Sequence, residues 1–217
     1  MVAAPRTLTA GEFLADKTVH VVGLAVGGVA AIVLLAIAAL QSGPAELVTA
    51  TAYAVCLIAM LSFSAAYNLA IRSRRREILC RFDHAGIFAM IAGTYTPFTV
   101  LGLQGTWSVT MTLVVWGIAL IGIVLKLSVP TGRFHGFSTG LYLAFGWLGI
   151  VAFGPLAASI GMPLLILIGI GGLVYSVGTI FHLLERMPYN KAVWHGFVLA
   201  AAAIHYVAVL GLVAGQG

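Results

Sequence analysis

Charged residues are scarce in this sequence of 217 residues: Asp, Glu, Lys and Arg together make up only 8% of it. An ordinary globular domain contains about 25% charged residues. Apolar residue types reach 61%, and the mean hydropathy is +1.09. A water-soluble fold of this size could not hide so much apolar surface, because it must cover itself with water-compatible groups. The scarcity of charge therefore excludes a soluble enzyme, a disordered regulator and a nucleic-acid-binding protein, and it predicts a protein that lies in a lipid bilayer.

Cysteine is also scarce, and internal repeats are absent. The two cysteines, Cys56 and Cys80, provide no disulfide framework. Cys56 lies within an apolar run, where a small buried hydrophobic residue is the simplest interpretation. No sequence repeat indicates the two-half architecture of many transporters. We therefore expect residues 1–217 to form a single integral membrane domain.

Long apolar runs are what the sequence has in place of charge. A helix needs ~20 mostly apolar residues to cross the hydrocarbon core of a bilayer. The sequence contains seven such runs, at residues 18–40, 46–71, 79–101, 107–128, 136–156, 162–184 and 193–214. Runs of this length must satisfy their backbone polar groups internally, and these lack the alternation of a membrane β-barrel. The predicted fold class is an all-α membrane protein, a seven-transmembrane helix bundle whose first span leaves Glu12 and Asp16 in the N-terminal tail.

Basic residues outnumber acidic ones, 11 to 6, and they are distributed unevenly. Lys and Arg occur in the N-terminal tail and around the loops that follow the second, fourth and sixth predicted spans. The other three loops and the C-terminal tail contain neither residue type. Because basic residues collect on the cytoplasmic side of membrane proteins, this distribution predicts a cytoplasmic N-terminus and a C-terminus outside.

Polar residues gather at the predicted cytoplasmic ends of the second, third and seventh spans, where the bilayer makes them costly. We call this set the polar pocket; its members are Ser64, Asn68, Asp83, His84, Lys191 and His195. Ser64 and Asn68 are four residues apart and share a helix face, as do Lys191 and His195. Their convergence predicts a functional or ion-paired cluster just below the cytoplasmic surface.

Each polar residue also has a purely structural interpretation. Ser64 would then bond the backbone of its own helix. Asp83 would pair with Arg81, with Lys191 or with a neighbouring histidine. Lys191 would extend its flexible stem into the cytoplasm. His20, at the start of the first predicted span, is expected at the membrane interface.

Two sequence segments resemble a known family. Residues 81–98 read RFDHAGIFAMIAGTYTPF and closely resemble the signature of the hemolysin III family, the bacterial branch of the progestin and adipoQ receptor superfamily. Residues 187–199, MPYNKAVWHGFVL, resemble the family's final-helix signature, and residues 64–68 lie where the family has its second-helix motif. The resemblance implies a seven-helix bundle with a cytoplasmic N-terminus in the bacterial plasma (inner) membrane.

The resemblance also implies where a metal would bind. The superfamily is associated with a zinc ion held by three histidines, with a nearby Ser and Asp, and these features suggest metal-dependent amide hydrolysis in ceramide-cleaving relatives. Ser64, Asp83 and His195 match that pattern here. Asn68 and Lys191 stand at the other two histidine positions, which makes this a degenerate family zinc site.

The two replacements decide the expected cofactor. A catalytic zinc usually takes three protein ligands. The Asn68 carbonyl is a poor zinc donor, and a protonated Lys191 brings a like charge. We therefore expect neither a metal nor any other cofactor, and zinc would need substitute ligands such as His84 or His182. Within the pocket we expect the Lys191 ammonium to reach toward Asp83, with Asn68, Ser64 and His195 supplying hydrogen bonds.

Two function classes follow. In the first, which we favour, the protein is non-catalytic and binds a membrane lipid, a lipid-like ligand or a partner, or regulates the membrane. In the second it hydrolyses a lipid amide or ester with rearranged ligands, and the candidate catalytic residues are Ser64, Asp83 and His195. Pore formation, which the family name suggests, has little physical support, because one chain offers few polar residues to line a water-filled pore. Nucleic acid is not an expected partner, and the sequence indicates no oligomeric state.

One conformational feature is predicted for the third span. Pro97 lies well inside it and cannot donate a backbone hydrogen bond, so it should bend or locally loosen the helix. Alternatively, Pro97 marks the outer end of a shorter span, because Gly102 follows soon after it. Thr94 and Thr96 are expected to help satisfy the freed carbonyl groups.

Overall fold

The computed structural model describes residues 8–41, 43–70, 75–129 and 135–215, and these ranges are helical, with no strand among them. In chain order the α-helices are α1 (Ala10–Gln41), α2 (Pro44–Leu69), α3 (Arg76–Pro97), α4 (Gly105–Ser128), α5 (His135–Gly146), α6 (Phe153–Ser159), α7 (Met162–Leu183) and α8 (Asn190–Val213). A π-helical turn, Phe98–Gly102, follows α3, and a 3-10 turn, Leu148–Ala152, joins α5 to α6.

Within the described residues, seven helical stretches are long and apolar enough to cross a membrane. This finding confirms the predicted seven-helix bundle. The fifth stretch, Ser138–Ser159, is assembled from α5, the 3-10 turn and α6, whereas the other six are single helices or a helix with its π-helical turn.

The first span differs from its prediction, because α1 begins at Ala10 and not at residue 18. The Glu12 N–H donates to Thr9 Oγ1 at 3.2 Å, and the Thr9 N–H donates to Glu12 Oε2 at 2.8 Å. This reciprocal pair is a capping box, which satisfies backbone donors that a helix start leaves free. The cap extends the helix past the apolar run and brings Asp16 into the bundle.

The start of α1 also contacts the start of α8. The second oxygen of the same carboxylate, Glu12 Oε1, accepts a hydrogen bond from the Tyr189 N–H at 3.0 Å. Tyr189, the residue before α8, has a φ of 58°, a left-handed conformation that is uncommon for a residue with a side chain. The first and last spans are therefore joined at this end of the bundle.

Neighbouring helices approach closely where small residues meet. α2 packs along α3, α7 packs along α8, and α1 lies against both α2 and α8. A Cβ atom placed on Gly93 of α3 would lie 2.6 Å from the Cβ of Cys56 on α2, which is closer than real Cβ atoms come. The buried core includes Leu34, Tyr53, Met60, Met90, Phe98 and Val209.

The third span loosens at Pro97 as predicted, because regular α-helix ends there and the π-helical turn begins at the next residue. The hydroxyls of Thr94 and Thr96 donate to the carbonyls of Met90 and Ala92, at 2.9 and 2.8 Å. The carbonyl that Pro97 would have bonded in an α-helix is that of Gly93. Both acceptors precede Gly93 in the chain, so these hydrogen bonds do not satisfy the carbonyl that Pro97 leaves free, and the role predicted for the two threonines is wrong.

Membrane orientation stays a prediction, and the loop residues 71–74 and 130–134 lie outside the described ranges. We expect a protein with Cys56→Ala, Cys80→Ala and Ser73→Cys to resist an impermeant maleimide added to intact cells, because the arginine-rich loop at residues 72–76, which contains Ser73, is predicted to be cytoplasmic. Gly217→Cys in the same background should react. Labelling of Ser73→Cys in intact cells would contradict the orientation.

Candidate lipid cavity and polar pocket

A cavity of about 1920 Å³ lies among the helices. Along α3 and the π-helical turn that follows it, the lining residues run from Cys80 to Thr99, and 19 helical steps of about 1.5 Å each make this wall ~28 Å long. Aromatic side chains line much of it, among them Phe88, Tyr95, Tyr142, Trp147, Tyr175 and Trp194. All six members of the polar pocket line it as well, because the helix ends that carry them meet at one end of the bundle.

The two residues at the degenerate histidine positions contact each other. Lys191 Nζ donates to Asn68 Oδ1 at 3.5 Å, and Asn68 Nδ2 donates to the Ser64 carbonyl at 3.0 Å. Asn68 is buried. The amide oxygen that would have to serve as a metal ligand is thus occupied by an ammonium group.

The predicted ion pair of Asp83 is not formed directly. Among the ion pairs that the described residues form within 4.0 Å, none joins Lys191 to Asp83. The Lys191 ammonium contacts Asn68, which agrees with the predicted hydrogen bond, and its charge interacts with both Asp16 and Asp83. Asp83 also interacts with the Ser64 side chain.

A second cluster, which the sequence analysis missed, lies beside the pocket. We call Asp16, His20 and His195 the Asp16 cluster. Asp16 Oδ1 lies 2.6 Å from His195 Nδ1 and 3.7 Å from His20 Nε2, and the two imidazole centroids are 4.4 Å apart. Asp16 is 1% exposed and His20 is 5% exposed. His20 is therefore buried inside the bundle, and its level at the membrane interface stays a prediction.

The signal for this cluster is present in the sequence. Asp16 and His20 are four residues apart, the spacing that places two side chains on one face of a helix. The predicted first span starts at residue 18, so the prediction assigns His20 to the helix and Asp16 to the N-terminal tail. The Thr9 cap keeps both on α1, where they face His195 of α8.

Arg81 and His84 have separate partners. Arg81 Nη2 lies 2.7 Å from Glu77 Oε1, and Arg81 Nη1 donates to the Leu127 carbonyl at 3.0 Å, near the end of α4. A cation there interacts favourably with the last carbonyls of a helix. His84 lines the cavity, and its backbone carbonyl accepts a hydrogen bond from Tyr142 at 3.2 Å.

Comparison with known proteins decides the family. The profile of the family described as "Haemolysin-III related" matches residues 15–206. The chain belongs to this family. It is 36% identical over 202 residues to the hemolysin-3 homolog of Bacillus subtilis (strain 168), covering 93% of this chain and 94% of that protein. It is also 36% identical over 203 residues to hemolysin-3 of Bacillus cereus, covering 92% and 90%.

A more distant similarity extends to animals. The chain is 26% identical over 170 residues to the monocyte to macrophage differentiation factor of Homo sapiens, covering 76% of this chain and 70% of that protein. The family and the seven apolar helices together make this an integral membrane protein. The Bacillus relatives are consistent with the bacterial plasma (inner) membrane.

The zinc arrangement implied for the hemolysin III family does not fit this member. Its three positions hold Asn68, Lys191 and His195, and the first two are bonded to each other. A zinc site built on them would offer one imidazole, one weak amide oxygen and one cation. No step of a reaction is derived through a metal at these positions.

The candidate catalytic residues do not form a relay in this hemolysin III relative. A nucleophilic serine needs a hydrogen bond to its general base. The Ser64 side chain interacts with Asp83, whereas His195 bonds Asp16, and among the described residues no hydrogen bond joins Ser64 to His195. All three candidates line the cavity, but the serine and the histidine have different partners.

Proposed function

We propose that this hemolysin III family member is a non-catalytic membrane protein that holds a lipid-like ligand in its internal cavity. The observation that carries the proposal is the size and shape of the cavity. Its volume of about 1920 Å³ exceeds the ~300–1,000 Å³ of an ordinary small-molecule pocket. One leaflet of a bilayer core is ~15 Å thick, so a wall of ~28 Å accommodates a full acyl chain and a head group.

The lining of the cavity supports an amphiphilic ligand. Its long walls carry aromatic and aliphatic side chains, whereas one end carries the polar pocket. Three basic side chains, Arg76, Lys126 and Lys191, line it against two acidic ones, Asp83 and Glu185. Basic groups raise the local concentration of anions, so a ligand with an apolar tail and an acidic head group fits this distribution best.

A cavity-filling variant tests the proposal. Gly169 of α7 lines the cavity, and a Cβ placed on it would meet nothing within 4 Å. In lipid nanodiscs we expect the protein to bind a fluorescent hexadecanoic acid that unlabelled palmitate displaces. Gly169→Phe should bind it about tenfold more weakly, a difference of ~1.4 kcal/mol, because the ring occupies the path of the chain.

The matched control is Gly117→Phe on α4. A Cβ on Gly117 also meets nothing within 4 Å, and Gly117 is not a lining residue of the cavity. This variant should bind the probe as the unmodified protein does. Equal losses in both variants, or the absence of displaceable binding in the unmodified protein, would contradict a cavity ligand.

Hydrolysis of a lipid amide or ester is the second candidate function. It is favoured by the Asp16 cluster, which supplies rearranged metal-binding residue types beside the pocket. Turnover of a fluorescent ceramide by purified protein with added zinc, abolished by His195→Gln, would favour this candidate. Binding without turnover supports the non-catalytic function.

A further inference from the structure

Three residues of metal-ligating type converge in the Asp16 cluster. One ligand atom from each of Asp16, His20 and His195 lies within 4.8 Å of the other two. We propose that this cluster is a divalent transition-metal site, best suited to zinc. It shares His195 with the arrangement implied for the family, but its other two ligands, Asp16 and His20, come from α1. The site does not depend on the lipid-binding proposal.

An unsatisfied atom gives independent support. The buried His20 Nε2 has no hydrogen-bond partner in the part of the chain that the structure describes. It nevertheless points toward the cluster, 3.7 Å from Asp16 Oδ1. An unpaired buried polar atom costs ~1–3 kcal/mol, and such atoms are rare in native proteins. A metal ion between the imidazole nitrogen and the carboxylate would satisfy both.

The distances suit a small tetrahedral ion. Zinc bonds of about 2.0–2.1 Å at the tetrahedral angle place two ligand atoms ~3.3 Å apart. The observed separations from Asp16 Oδ1, 2.6 Å to His195 and 3.7 Å to His20, lie on either side of that value. Shifts of roughly half an ångström would seat the ion, and side-chain rotation supplies shifts of that size.

The donor set also indicates the class of metal. Two imidazoles and one carboxylate are the ligands of several catalytic zinc sites, which keep a fourth position open. Imidazole donors favour zinc, copper, iron and nickel over magnesium and calcium. The carboxylate offsets part of the charge of the ion, which a buried site requires.

Lys191 allows a test in which the direction of the change in zinc affinity decides. Its charge interacts with Asp16, and its ammonium also contacts Asn68. A dication in the Asp16 cluster would be repelled by that ammonium. Removing the lysine charge should therefore strengthen metal binding, whereas it should have no such effect if zinc binds elsewhere on the protein.

The experiment measures zinc binding to untagged, EDTA-treated protein by competition with a chromophoric chelator. We expect about one zinc per chain and a cobalt(II) absorption spectrum typical of a four-coordinate site. Asp16→Asn and His20→Gln should weaken binding at least about tenfold, since each removes a ligand. The matched controls, His84→Gln and His182→Gln, change cavity histidines outside the cluster and should bind as the unmodified protein does.

The outcomes separate cleanly. Absence of stoichiometric binding, or unchanged binding in Asp16→Asn and His20→Gln, would show that the cluster is a hydrogen-bonded network only and would overturn the proposal. Should those two variants fail to fold in a metal-free melt, Lys191→Met decides: about tenfold tighter binding supports the site, and unchanged or weaker binding overturns it. Gly169→Phe should still bind zinc. Failure of the lipid-binding proposal would therefore leave the zinc result unchanged.

Discussion

The metal-free Asp16→Ala variant is expected to melt on the order of 10 °C below the unmodified protein in detergent. Asp16 is almost fully buried and accepts the hydrogen bond of His195 at 2.6 Å. Its negative charge also interacts favourably with the ammonium of Lys191. Truncation leaves a buried imidazole and an ammonium without this partner. Removing one member of such a buried polar group costs ~3 kcal/mol or more.

Two comparisons make the Asp16 result specific. Asp16→Asn keeps an oxygen that accepts from His195 and should recover part of the loss. Glu77→Ala removes a carboxylate that is 57% exposed and pairs with Arg81, so its cost should stay below about 1 kcal/mol. All three are measured by thermal melting in EDTA. A melting temperature for Asp16→Ala at or above that of Glu77→Ala would show that the buried contact does not stabilise the protein.

Gly93→Ala is expected to destabilise the protein by ~2–3 kcal/mol, although it adds a single methyl group. The new Cβ would stand 2.6 Å from Cys56 Cβ and 2.9 Å from its sulfur atom. Cys56 Cβ is fixed to the backbone of α2 and cannot rotate away. The two helices must separate, and the close packing between α2 and α3 is lost.

A compensating change distinguishes this clash from a general intolerance of α3. Cys56→Gly removes both clashing atoms. The double variant with Gly93→Ala should therefore lose less free energy of unfolding than the sum of the losses in the two single variants. Gly28→Ala on α1 is the control, because a Cβ there meets nothing within 4 Å. It should melt at or slightly above the temperature of the unmodified protein. Additive losses in the double variant would show that the clash with Cys56 is not the reason why Gly93→Ala destabilises the protein.

The seven spans were predictable because the bilayer acts on each helix separately. Length and hydropathy suffice where a segment needs only to be apolar, and Pro97 acts through its own missing N–H. The convergence of the polar pocket followed from the same reasoning, since short loops bring alternate helix ends together. These properties belong to single segments, and a single sequence reveals them.

The start of α1 was not predictable from hydropathy. Asp16 is costly for a membrane span until His195, distant in the chain, is placed beside it. Glu12 likewise reads as a tail residue until its oxygens bond Thr9 and Tyr189. Thr9 is a local partner, but Tyr189 and His195 reach these two carboxylates only in the folded bundle. For the same reason the sequence favoured Asp83 as the partner of Lys191, whereas packing placed Asn68 closer to its ammonium.

The Glu12 bridge between the starts of α1 and α8 has a consequence for biosynthesis. Its two partners are separated by 177 residues, and the Asp16–His195 contact joins residues that are 179 apart. A ribosome makes α1 first and α8 last, so neither contact exists until the final span has left the translocation machinery. Asp16 must therefore wait without its histidine partner until α8 has been made, and the contacts between the first and last helices form only then.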